Sequence, residues 1–463
     1  MPISPARVAA FEILLRVERE NAYASELLHS ARYSKLSPTD HGLTMELVMG
    51  VLRWRSLLDA EIARFSSTKI DQLDAEVLTA LRMATFQIAF LDRVPARAAV
   101  HESVELVKHA RKRSAAPFAN ALLRKVSQHV EWARGVRKVV QAESLNSELS
   151  VPPSSKESLR FLAERYAHPA WLVERWCAAY GANETKRMLR YNQSIPAVSI
   201  VLPIPEVRAS LEKSGVVLLK GELLNSAARV QCGDLFRTRE FRAGHVAIQD
   251  EASQLVALLV GKGSNILDCC AAPGGKTRLL AERNSEARIT AVELHSHRAR
   301  LLRKLVRAKN VEVIQADVRE LTEGEYDRVL VDVPCSGTGT LARNPEIKWP
   351  LKTEDLVDLH GRQLQILRSA LRRLKPGGRL VYSTCSLEYE ENAAVVEEVL
   401  ADDPSIQIID CRIELECLRA DGDLAWTDLD SLTIGPYLRT IPGTHPCDGF
   451  FAAIVIFGLT SEF

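Results

Sequence analysis

The spacing of apolar residues along the chain separates a helical first part from an alternating second part. In residues 1–140, apolar side chains recur about every 3.6 positions, for example over residues 8–15 and 43–52, which is the period of an amphipathic helix. Residues 37–40, Ser-Pro-Thr-Asp, supply helix-start chemistry before the second of these runs. The pattern therefore predicts an all-helical domain over residues 1–140.

Polar residues and prolines interrupt the helical pattern after residue 140. Residues 141–157 are predicted to form a linker, and residues 158–245 a small α+β subdomain. Within this subdomain, residues 168–181 have a helical pattern that ends at a glycine, and residues 196–207 have the composition of a strand. Two prolines near the end of that strand place it at the edge of a sheet, because proline cannot donate to the ladder.

From residue 246 to residue 463, strand-like apolar runs alternate regularly with helical ones, as βαβ units require. This alternation predicts an α/β domain with a parallel sheet. A strongly basic helix is expected over residues 297–309. The predicted strands lie at residues 266–267, 288–294, 311–317, 326–339, 378–386 and 448–457.

The composition narrows the class of protein. The 463 residues are 46% hydrophobic and 26% charged, which is ordinary for a globular protein, and no apolar run approaches the ~20 residues of a membrane helix. The 9 cysteines include no CxxC pair, which favours a reducing cytoplasm and argues against a disulfide framework or a zinc site. A net charge of +1 means that any nucleic acid must be bound by local patches. We therefore expect a cytoplasmic protein without a membrane segment or a metal.

The stretch 265–277, NILDCCAAPGGKT, predicts a buried strand, a turn of small residues and a helix. An open α/β sheet binds its ligand at such a place, outside the carboxyl ends of the strands. Gly274 and Gly275 allow the backbone to approach a ligand closely. A phosphate-binding GxxxxGK[ST] loop would need glycine where Cys270 stands, and the dinucleotide fingerprint GxGxxG is absent. Both of these nucleotide sites are therefore excluded.

The motif CAAPGGKT, residues 270–277, resembles the first cofactor motif of S-adenosylmethionine-dependent methyltransferases. Its form is that of the RNA cytosine carbon-5 methyltransferases of the RsmB/Sun type, and the resemblance covers residues 249–386 and 445–451. It implies a Rossmann-like methyltransferase domain with a mixed seven-stranded sheet whose last strand is antiparallel. Cofactor contacts are implied at Cys270, Ala271, Ala272, Pro273, Gly274, Gly275 and Lys276.

The helical first part resembles the NusB-like RNA-binding domain. The similar stretches are residues 46–59, 81–108 and 118–126. Together, the two resemblances imply S-adenosyl-L-methionine as the cofactor and 16S ribosomal RNA as the partner, and we expect a monomer. A basic cluster is either a solvated face or an RNA contact. It consists of Arg111, Lys112, Arg113, Arg124 and Lys125.

Acidic residues end successive predicted strands at Asp268, Glu293, Asp317 and Asp332. Because the carboxyl ends of parallel strands meet at one crevice, we expect these side chains to line the cofactor site. Glu293 suits a ribose diol, since a bidentate acceptor matches two donors, and Asp317 suits the adenine edge. The family usually has aspartate in place of Glu293, whose longer side chain can reach the same diol.

Two cysteines follow strand ends, Cys335 in VPCSGTG and Cys385 in STCS. Carbon 5 of cytosine becomes nucleophilic when a thiolate adds to carbon 6, and afterwards the carbon-5 proton and the thiol must leave. Spacing alone does not decide which cysteine attacks. The resemblance implies that Cys385 is the nucleophile and that Cys335 assists breakdown of the adduct, whereas in DNA cytosine methyltransferases the Pro-Cys residue attacks.

Further polar residues near the cysteines are candidates for binding the base and its neighbours. Asp332 suits the N3–N4 edge of cytosine and can stabilise charge as the thiol adds. Lys276 either approaches the base or orients Asp332. Asn344, Pro345, Lys348 and Trp349, in the loop after Cys335, are expected to contact flanking nucleotides, since cationic and aromatic groups suit unstacked RNA.

Three functions remain open on this sequence. The first is methylation of carbon 5 of a cytosine in ribosomal RNA, and the second is the same chemistry on transfer RNA. The third is an RNA-binding assembly or antitermination factor whose catalytic domain is idle. The presence of Cys335, Cys385, Asp332 and Lys276 speaks against the third.

Overall fold

The computed structural model describes residues 3–33, 35–129, 156–202, 204–322 and 324–457, which form two compact units. Unit 1 is Met1–Ile195 together with Leu341–Pro350, called here the returning segment, and unit 2 is Pro196–Thr340 with Leu351–Phe463. The predicted linker lies almost entirely outside the described residues. The predicted domain boundaries stay predictions, while the observed units divide after Ile195.

Unit 1 is helical throughout its described part, as the apolar period predicts. Its core contains Ile13, Leu47, Leu58 and Leu81, which are all fully buried. Ser37 caps the third helix by accepting a hydrogen bond from the Asp40 backbone N–H, so the predicted start signal is used. The helices are α1 (Pro5–Glu20), α2 (Ala24–Leu28), α3 (Pro38–Phe65), α4 (Ala75–Phe90), α5 (Ala96–His109), α6 (Ala116–Gln128), α7 (Lys156–Arg165), α8 (Ala170–Tyr180) and α9 (Ala182–Asn192).

The returning segment is bound into unit 1 by buried hydrogen bonds. Lys348 Nζ donates to the Arg53 carbonyl at 3.0 Å and to the Ala167 carbonyl at 2.7 Å, and Lys348 is 1% exposed. Trp349 Nε1 donates to the Leu52 carbonyl at 2.6 Å. The expectation that Lys348 and Trp349 contact flanking nucleotides is therefore wrong for Lys348. Its polar character favoured a surface position, but its amine is used by backbone acceptors inside the fold.

The principal sheet of unit 2 has nine strands in the order β10-β11-β12-β8-β7-β4-β5-β6, with β9 paired to β12. The strands β8, β7, β4, β5 and β6 are parallel, and β12 runs antiparallel to β8, as predicted. The strands are β4 (Asn265–Asp268), β5 (Arg288–Glu293), β6 (Val311–Gln315), β7 (Tyr326–Asp332), β8 (Leu374–Thr384), β9 (Ile406–Ile409), β10 (Thr433–Ile434), β11 (Tyr437–Thr440) and β12 (Phe450–Phe457).

The predicted fold class is confirmed, but the count of seven strands is too low for the described part of unit 2. Short strands β9, β10 and β11 extend the sheet around β12. The shortest of them, β10, has two residues, which is too few for a period-2 pattern to be recognised. The pairing of β9 and β11 with β12, and of β10 with β11, therefore depends on tertiary position rather than on their own sequence.

A second sheet of three strands lies earlier in unit 2, in the order β1-β3-β2. The predicted strand over 196–207 is shorter than expected, since β1 ends at Val201 and Pro205 begins a helix. Proline suits that first helical position because its missing N–H would have no partner there. The strands are β1 (Val198–Val201), β2 (Val217–Lys220) and β3 (Ala227–Cys232).

The helices of unit 2 follow the predicted alternation. The predicted basic helix over 297–309 is shorter, because the backbone of Val306 is extended and Arg307 and Lys309 lie beyond its end. No helix in the described ranges is both long and apolar enough to cross a membrane. The helices are α10 (Pro205–Lys213), α11 (Arg239–Arg242), α12 (Glu251–Leu259), α13 (Gly275–Arg283), α14 (Ser296–Leu305), α15 (Thr353–Leu371), α16 (Ala393–Asp402) and α17 (Cys411–Ala420).

Replacing Lys348 by Met should destabilise unit 1. Burial, with the nearby Arg53 guanidinium, lowers the pKa of Lys348 well below its ordinary value. The Arg53 carbonyl keeps a donor, Gln193 Nε2 at 3.3 Å, but the buried Ala167 carbonyl loses the Lys348 amine, which costs about 1–3 kcal/mol. Urea unfolding of Lys348→Met should show this loss, while Lys125→Met, on an exposed position of α6, should match the unmodified protein. Equal midpoints for the two variants would contradict the assignment.

Candidate active site

The small-residue turn between β4 and α13 is held from both sides by the neighbouring strands. The backbone N–H of Cys269 donates to the Leu330 carbonyl of β7 at 2.9 Å, and that of Ala271 donates to the Val292 carbonyl of β5 at 2.9 Å. The pairing of the sheet thus continues past the end of β4. As a result, the predicted cofactor turn has a fixed position at the carboxyl edge of the sheet.

Gly274 is required in this turn for two reasons. Its φ is +113°, a backbone conformation that residues with a Cβ rarely adopt. A Cβ at this position would also lie 2.6 Å from Val306 Cγ2 and 2.7 Å from Leu302 Cδ1, both in or next to α14. The turn therefore packs directly against α14. The preceding Ala272–Pro273 peptide bond is cis.

Asp268 ends β4 and is buried. Its Oδ2 accepts a hydrogen bond from Thr277 Oγ1 at 2.7 Å, which joins the end of the strand to α13. Burial raises the pKa of the Asp268 carboxyl to about 7. The buried Asp268 carboxyl therefore stabilises the cofactor turn through its hydrogen bond with Thr277.

Glu293 and Asp317 lie at the carboxyl ends of the adjacent strands β5 and β6, as predicted. Glu293 is 4% exposed, its Oε1 accepts from the His295 N–H at 2.9 Å, and its Oε2 is 3.8 Å from Arg298. Both oxygens of Asp317 accept from Arg319 Nε at 3.0 Å, and this hydrogen bonding lowers the pKa of Asp317. The cofactor contacts expected of Glu293 and Asp317 stay predictions.

The carboxylate of Asp332, at the end of β7, is bound on both sides. Lys276 Nζ donates to Oδ2 at 2.7 Å, and Ser383 Oγ donates to Oδ1 at 2.8 Å. The Lys276 ammonium also lies 4.9 Å from the centre of the Phe450 ring. Of the two roles open to Lys276, this geometry favours orienting Asp332.

The sulfurs of Cys335 and Cys385 are 3.2 Å apart, and both thiols are free and half-buried. The hydrogen bond between them, and then burial, raise the pKa of Cys335 well above its ordinary value. Since β7 and β8 are parallel with Asp332 opposite Ser383, each cysteine follows its strand at the same edge of the sheet. Cys335 and Cys385, the two candidate reactive cysteines predicted from the sequence, are thus neighbours in the structure.

The other cysteine in the cofactor turn differs from this pair. Burial raises the pKa of Cys270, first of all, and the nearby carboxylates of Asp268 and Asp332 add to the shift. Cys270 is therefore a neutral thiol at physiological pH. Its predicted contribution to cofactor binding, through its backbone, stays a prediction.

Sequence reasoning missed several residues that surround the cysteines. Ser383 binds Asp332, and Glu391 accepts hydrogen bonds from Ser336 and Ser386, the residues that directly follow the two cysteines. The repeated Cys-Ser dipeptide was a visible signal for the serines. Nothing in the local sequence distinguishes Glu391, which is fully buried, from the neighbouring Glu390.

Residues 445–451 pack directly onto the loop of Cys335. The Gly449 N–H donates to the Gly339 carbonyl at 2.8 Å, and the Gly339 N–H donates to the Cys385 carbonyl at 2.9 Å. A Cβ on Gly339 would lie 2.1 Å from the Gly449 carbonyl oxygen, so only glycine fits there. The glycines of two separate motifs therefore form one backbone contact beside the thiols.

Comparison with family models matches both parts of the chain. Residues 255–456 match the family described as 16S rRNA methyltransferase RsmB/F, and residues 4–128 match the NusB family. Fold and site together thus define a Rossmann-like methyltransferase that carries a NusB-like helical domain.

Similar proteins extend over nearly the whole chain. A probable ribosomal RNA small subunit methyltransferase B of Bacillus subtilis is 31% identical over 423 residues, covering 88% of this chain and 90% of that protein. A putative methyltransferase of Mycobacterium tuberculosis is 33% identical over 465 residues, covering 98% of this chain and 96% of that protein. The chain belongs to the ribosomal RNA small subunit methyltransferase B family, of the RsmB/F type.

Solved structures agree with this fold. The crystal structure of PH0851 has a TM-score of 0.77 at 23% identity and covers 98% of this chain and 99% of its own. A methyltransferase homologue from Pyrococcus horikoshii has a TM-score of 0.54 at 24% identity, covering 64% of this chain and 98% of its own.

The stability of unit 2 should fall in mild acid because of His445. The His445 Nδ1 accepts from the Ile441 N–H at 2.8 Å, and burial lowers the pKa of His445 to about 4. An unfolded histidine titrates near 6.5, so the unfolded chain alone takes up a proton between these values. The stability contributed by neutral His445 is therefore complete above about pH 6.5 and is lost as the pH falls toward 4.

The measurement is the free energy of unfolding in urea at two pH values. Between about pH 7.5 and about pH 5, the unmodified protein should lose roughly 2 kcal/mol that His445→Asn does not lose. Asparagine is the appropriate replacement because its side-chain oxygen can still accept from the Ile441 N–H. Identical pH dependence in the two proteins would show that His445 does not titrate as described.

Proposed function

We propose that this protein transfers a methyl group from S-adenosyl-L-methionine to carbon 5 of a cytosine in 16S ribosomal RNA. The observation that carries the proposal is the pair of free thiols 3.2 Å apart at the carboxyl edge of the sheet. The bound carboxylate of Asp332 ends the strand that leads to one of them. Relatives named ribosomal RNA small subunit methyltransferase B support the choice of RNA.

The chemistry begins with a thiolate that adds to carbon 6 of the cytosine. The new S–C6 bond shifts electron density through the ring to carbon 5, which becomes a nucleophile. Carbon 5 would then form a bond to the methyl group as the bond between that group and the sulfonium sulfur of the donor breaks. A base then removes the carbon-5 proton, and the electron pair left behind re-forms the C5–C6 double bond as the S–C6 bond breaks and the thiolate leaves. A protein that performs these steps needs a thiolate for the attack and a second group that assists the release.

The geometry favours Cys385 for the attack. The raised pKa keeps Cys335 a neutral thiol, so its S–H can donate to the sulfur of Cys385. A neutral Cys335 is a poor nucleophile, and the family motif implies Cys385 as the attacking residue. Cys335 is then placed to assist release of the adduct from carbon 6.

Asp332 is assigned the role of binding the target cytosine. Its two carboxylate oxygens are oriented by Lys276 and Ser383, so the carboxylate is fixed without being buried. A fixed carboxylate of this kind can accept a hydrogen bond from the N4 amino group of cytosine and orient the base, without reorganising during the reaction. Lys276 acts through Asp332 and need not touch the substrate.

The residues at the turn fit the proposed methyl donor. When bound, S-adenosyl-L-methionine supplies an electrophilic methyl group on a sulfonium sulfur. Glu293 Oε1 is occupied by the His295 N–H, whereas within the described residues Oε2 has only Arg298, at 3.8 Å. Oε2 is therefore an acceptor suited to a ribose hydroxyl. The cofactor turn, residues 270–276, and Glu293 would hold the donor, with Asp317 beside them.

The helical unit and the cysteine chemistry are the two grounds for proposing RNA as the substrate. Residues 4–128 match the NusB family, and the basic residues Arg111, Arg113, Arg124 and Lys125 are exposed. Exposed cations suit phosphate contacts, which position a nucleic acid without reading its sequence. The target base must leave its stack to reach the thiols. The expected monomer and the cytoplasmic location stay predictions.

The test of the proposed function is a map of 5-methylcytosine in 16S ribosomal RNA from a strain that lacks this gene. One modified position should disappear and should return when the unmodified protein is expressed. If every 5-methylcytosine in 16S ribosomal RNA were retained while 5-methylcytosine was lost from transfer RNA, the substrate would be transfer RNA. Retention in both RNAs, with no binding of S-adenosyl-L-methionine in calorimetry, would favour the idle assembly factor.

Replacing Cys385 by Ser should abolish formation of 5-methylcytosine. A serine hydroxyl is a far weaker nucleophile than a thiolate at neutral pH, so the rate should fall by roughly 1,000-fold or more. The measurement is methyl transfer to 16S ribosomal RNA by the purified protein. Cys232→Ser, at an exposed cysteine in β3, is the matched control and should keep full activity. Wild-type rates for Cys385→Ser would remove this cysteine from the mechanism.

Replacing Cys335 by Ser should have a different effect, because this cysteine is assigned to release. Attack by Cys385 continues, while the adduct breaks down slowly, so protein covalently bound to RNA should accumulate. The measurement is a band that resists denaturant and disappears after ribonuclease treatment. The double variant, with Cys385→Ser added, should form no such band. If the double variant formed the adduct, the assignment of attack to Cys385 and of release to Cys335 would be rejected.

A further inference from the structure

A buried carboxylate behind the two thiols binds the residue that follows each of them. Glu391 is fully buried, and its Oε1 accepts from the Ser336 N–H at 2.8 Å and from Gln363 Nε2 at 2.9 Å. Its Oε2 accepts from Ser386 Oγ at 2.5 Å and from Ser336 Oγ. We call this group of hydrogen bonds the Glu391 clamp. It consists of Glu391, Ser336, Ser386 and Gln363.

The clamp acts one residue away from each sulfur. Ser336 follows Cys335 and Ser386 follows Cys385, and the two serine hydroxyls are also 3.0 Å apart. Gln363 extends the clamp to the other side of Cys335, because its Nε2 also donates to the Pro334 carbonyl at 2.9 Å. A single carboxylate therefore joins the two loops that carry the thiols.

The hydrogen-bond pattern requires a carboxylate at this position. An ionised carboxylate is an acceptor only, with about four lone-pair sites, and Glu391 meets four donors. Among the residues that the structure describes, Glu391 has no ion pair, and these four donors are the hydrogen-bond partners of its side chain. A glutamine would place an NH2 group opposite one pair of donors. A buried polar group in such a network must be fully bonded, and a mismatch displaces its partners.

We propose that Glu391 is a positioning residue that sets the separation and relative orientation of Cys335 and Cys385. The proposal rests on the proposed function for its effect on the rate, but not for its effect on the thiols. Among the described residues, no hydrogen bond joins Glu391 to either sulfur, although the nearby Glu391 carboxylate also contributes to the raised pKa of Cys335. Glu391 acts through Ser336 and Ser386, and it keeps the Cys335 thiol within hydrogen-bonding distance of Cys385 during attack and release.

This role predicts a loss in turnover without a loss in binding. A displacement of about 1 Å at reacting groups can lower a rate as much as 100-fold, so Glu391→Gln should reduce kcat by about 10- to 100-fold. The KM for RNA and the affinity for S-adenosyl-L-methionine should stay unchanged, because Glu391 is fully buried and none of its side-chain hydrogen bonds involves residues 270–276. A residue that only stabilises the fold would instead lower the active fraction and the melting temperature together.

The first experiment measures kcat, KM and thermal stability for Glu391→Gln and for the matched control Glu397→Gln. Glu397 is an exposed residue of α16, so the same substitution there should leave all three quantities at wild-type values. A fall in kcat with constant KM, in a protein that melts normally, supports the proposal. Wild-type kcat in a folded Glu391→Gln protein overturns it.

The second experiment needs neither RNA nor cofactor. Iodoacetamide is added to the full-length protein, and alkylation is followed at each cysteine by peptide mass spectrometry, with the exposed Cys232 and Cys417 as internal references. In the unmodified protein, Cys335 should react slowly, because its hydrogen bond to Cys385 keeps it a thiol and only the thiolate is reactive. In Glu391→Gln, alkylation of Cys335 should rise relative to both references.

The two experiments separate the two proposals. If the unmodified protein forms no 5-methylcytosine but Glu391→Gln still changes the alkylation of Cys335, the positioning role of Glu391 is supported and the proposed function is rejected. If the ratio of Cys335 to reference alkylation is the same in both proteins, the clamp is rejected whatever the activity. Ser386→Ala keeps the Glu391 carboxyl group and also serves if Glu391→Gln does not fold. It removes the hydroxyl that joins Glu391 to the loop of Cys385, together with the bonds of that hydroxyl to Ser336 Oγ and to the Glu388 N–H. It should then give the same changes to a smaller extent, and its failure to change either quantity overturns the proposal.

Discussion

The parallel pairing of β7 with β8 is the constraint on which the rest of the site depends. In this register Asp332 lies opposite Ser383, so the chain leaves both strands at the same edge of the sheet and both cysteines follow within three residues. A slip of one residue would turn one of the two loops to the opposite face. Strand register thus brings both cysteine loops to one edge of the sheet, where the sulfurs are 3.2 Å apart, and the hydrogen bond from Ser383 to Asp332 depends on the same register.

Buried polar groups hold the loops that extend from this framework. Glu391 joins the two cysteine loops, Asp268 joins β4 to α13, and Lys348 joins the returning segment to the helices of unit 1. In each case a charged or ionisable side chain is surrounded by donors or acceptors that have no access to water, so the arrangement tolerates few alternatives. Loops tied in this way can present reactive groups with the precision of strands.

The antiparallel strand β12 completes the site from the other side. Phe450, its first residue, lies under the Lys276 ammonium, and the glycines at positions 339 and 449 are in backbone contact just before it. A motif near the end of the chain is therefore part of the same structure as the cofactor turn and the Cys335 loop. This explains why the family resemblance reappears over residues 445–451 after a long interval without it.

The sequence by itself determined the helical first part, the alternating second part, the cofactor turn, the strand-end acids and the two cysteines. These features are local, because apolar period, glycine turns and strand ends are set by neighbouring residues. Only the tertiary structure decided which polar residues are buried. Glu391 was indistinguishable from Glu390, and Lys348 was expected on the surface, because most of their partners lie 28 or more residues away in the chain. The pairing of β9 with β12 and the contact between the thiols were decided in the same way, by the packing of segments that are far apart in sequence.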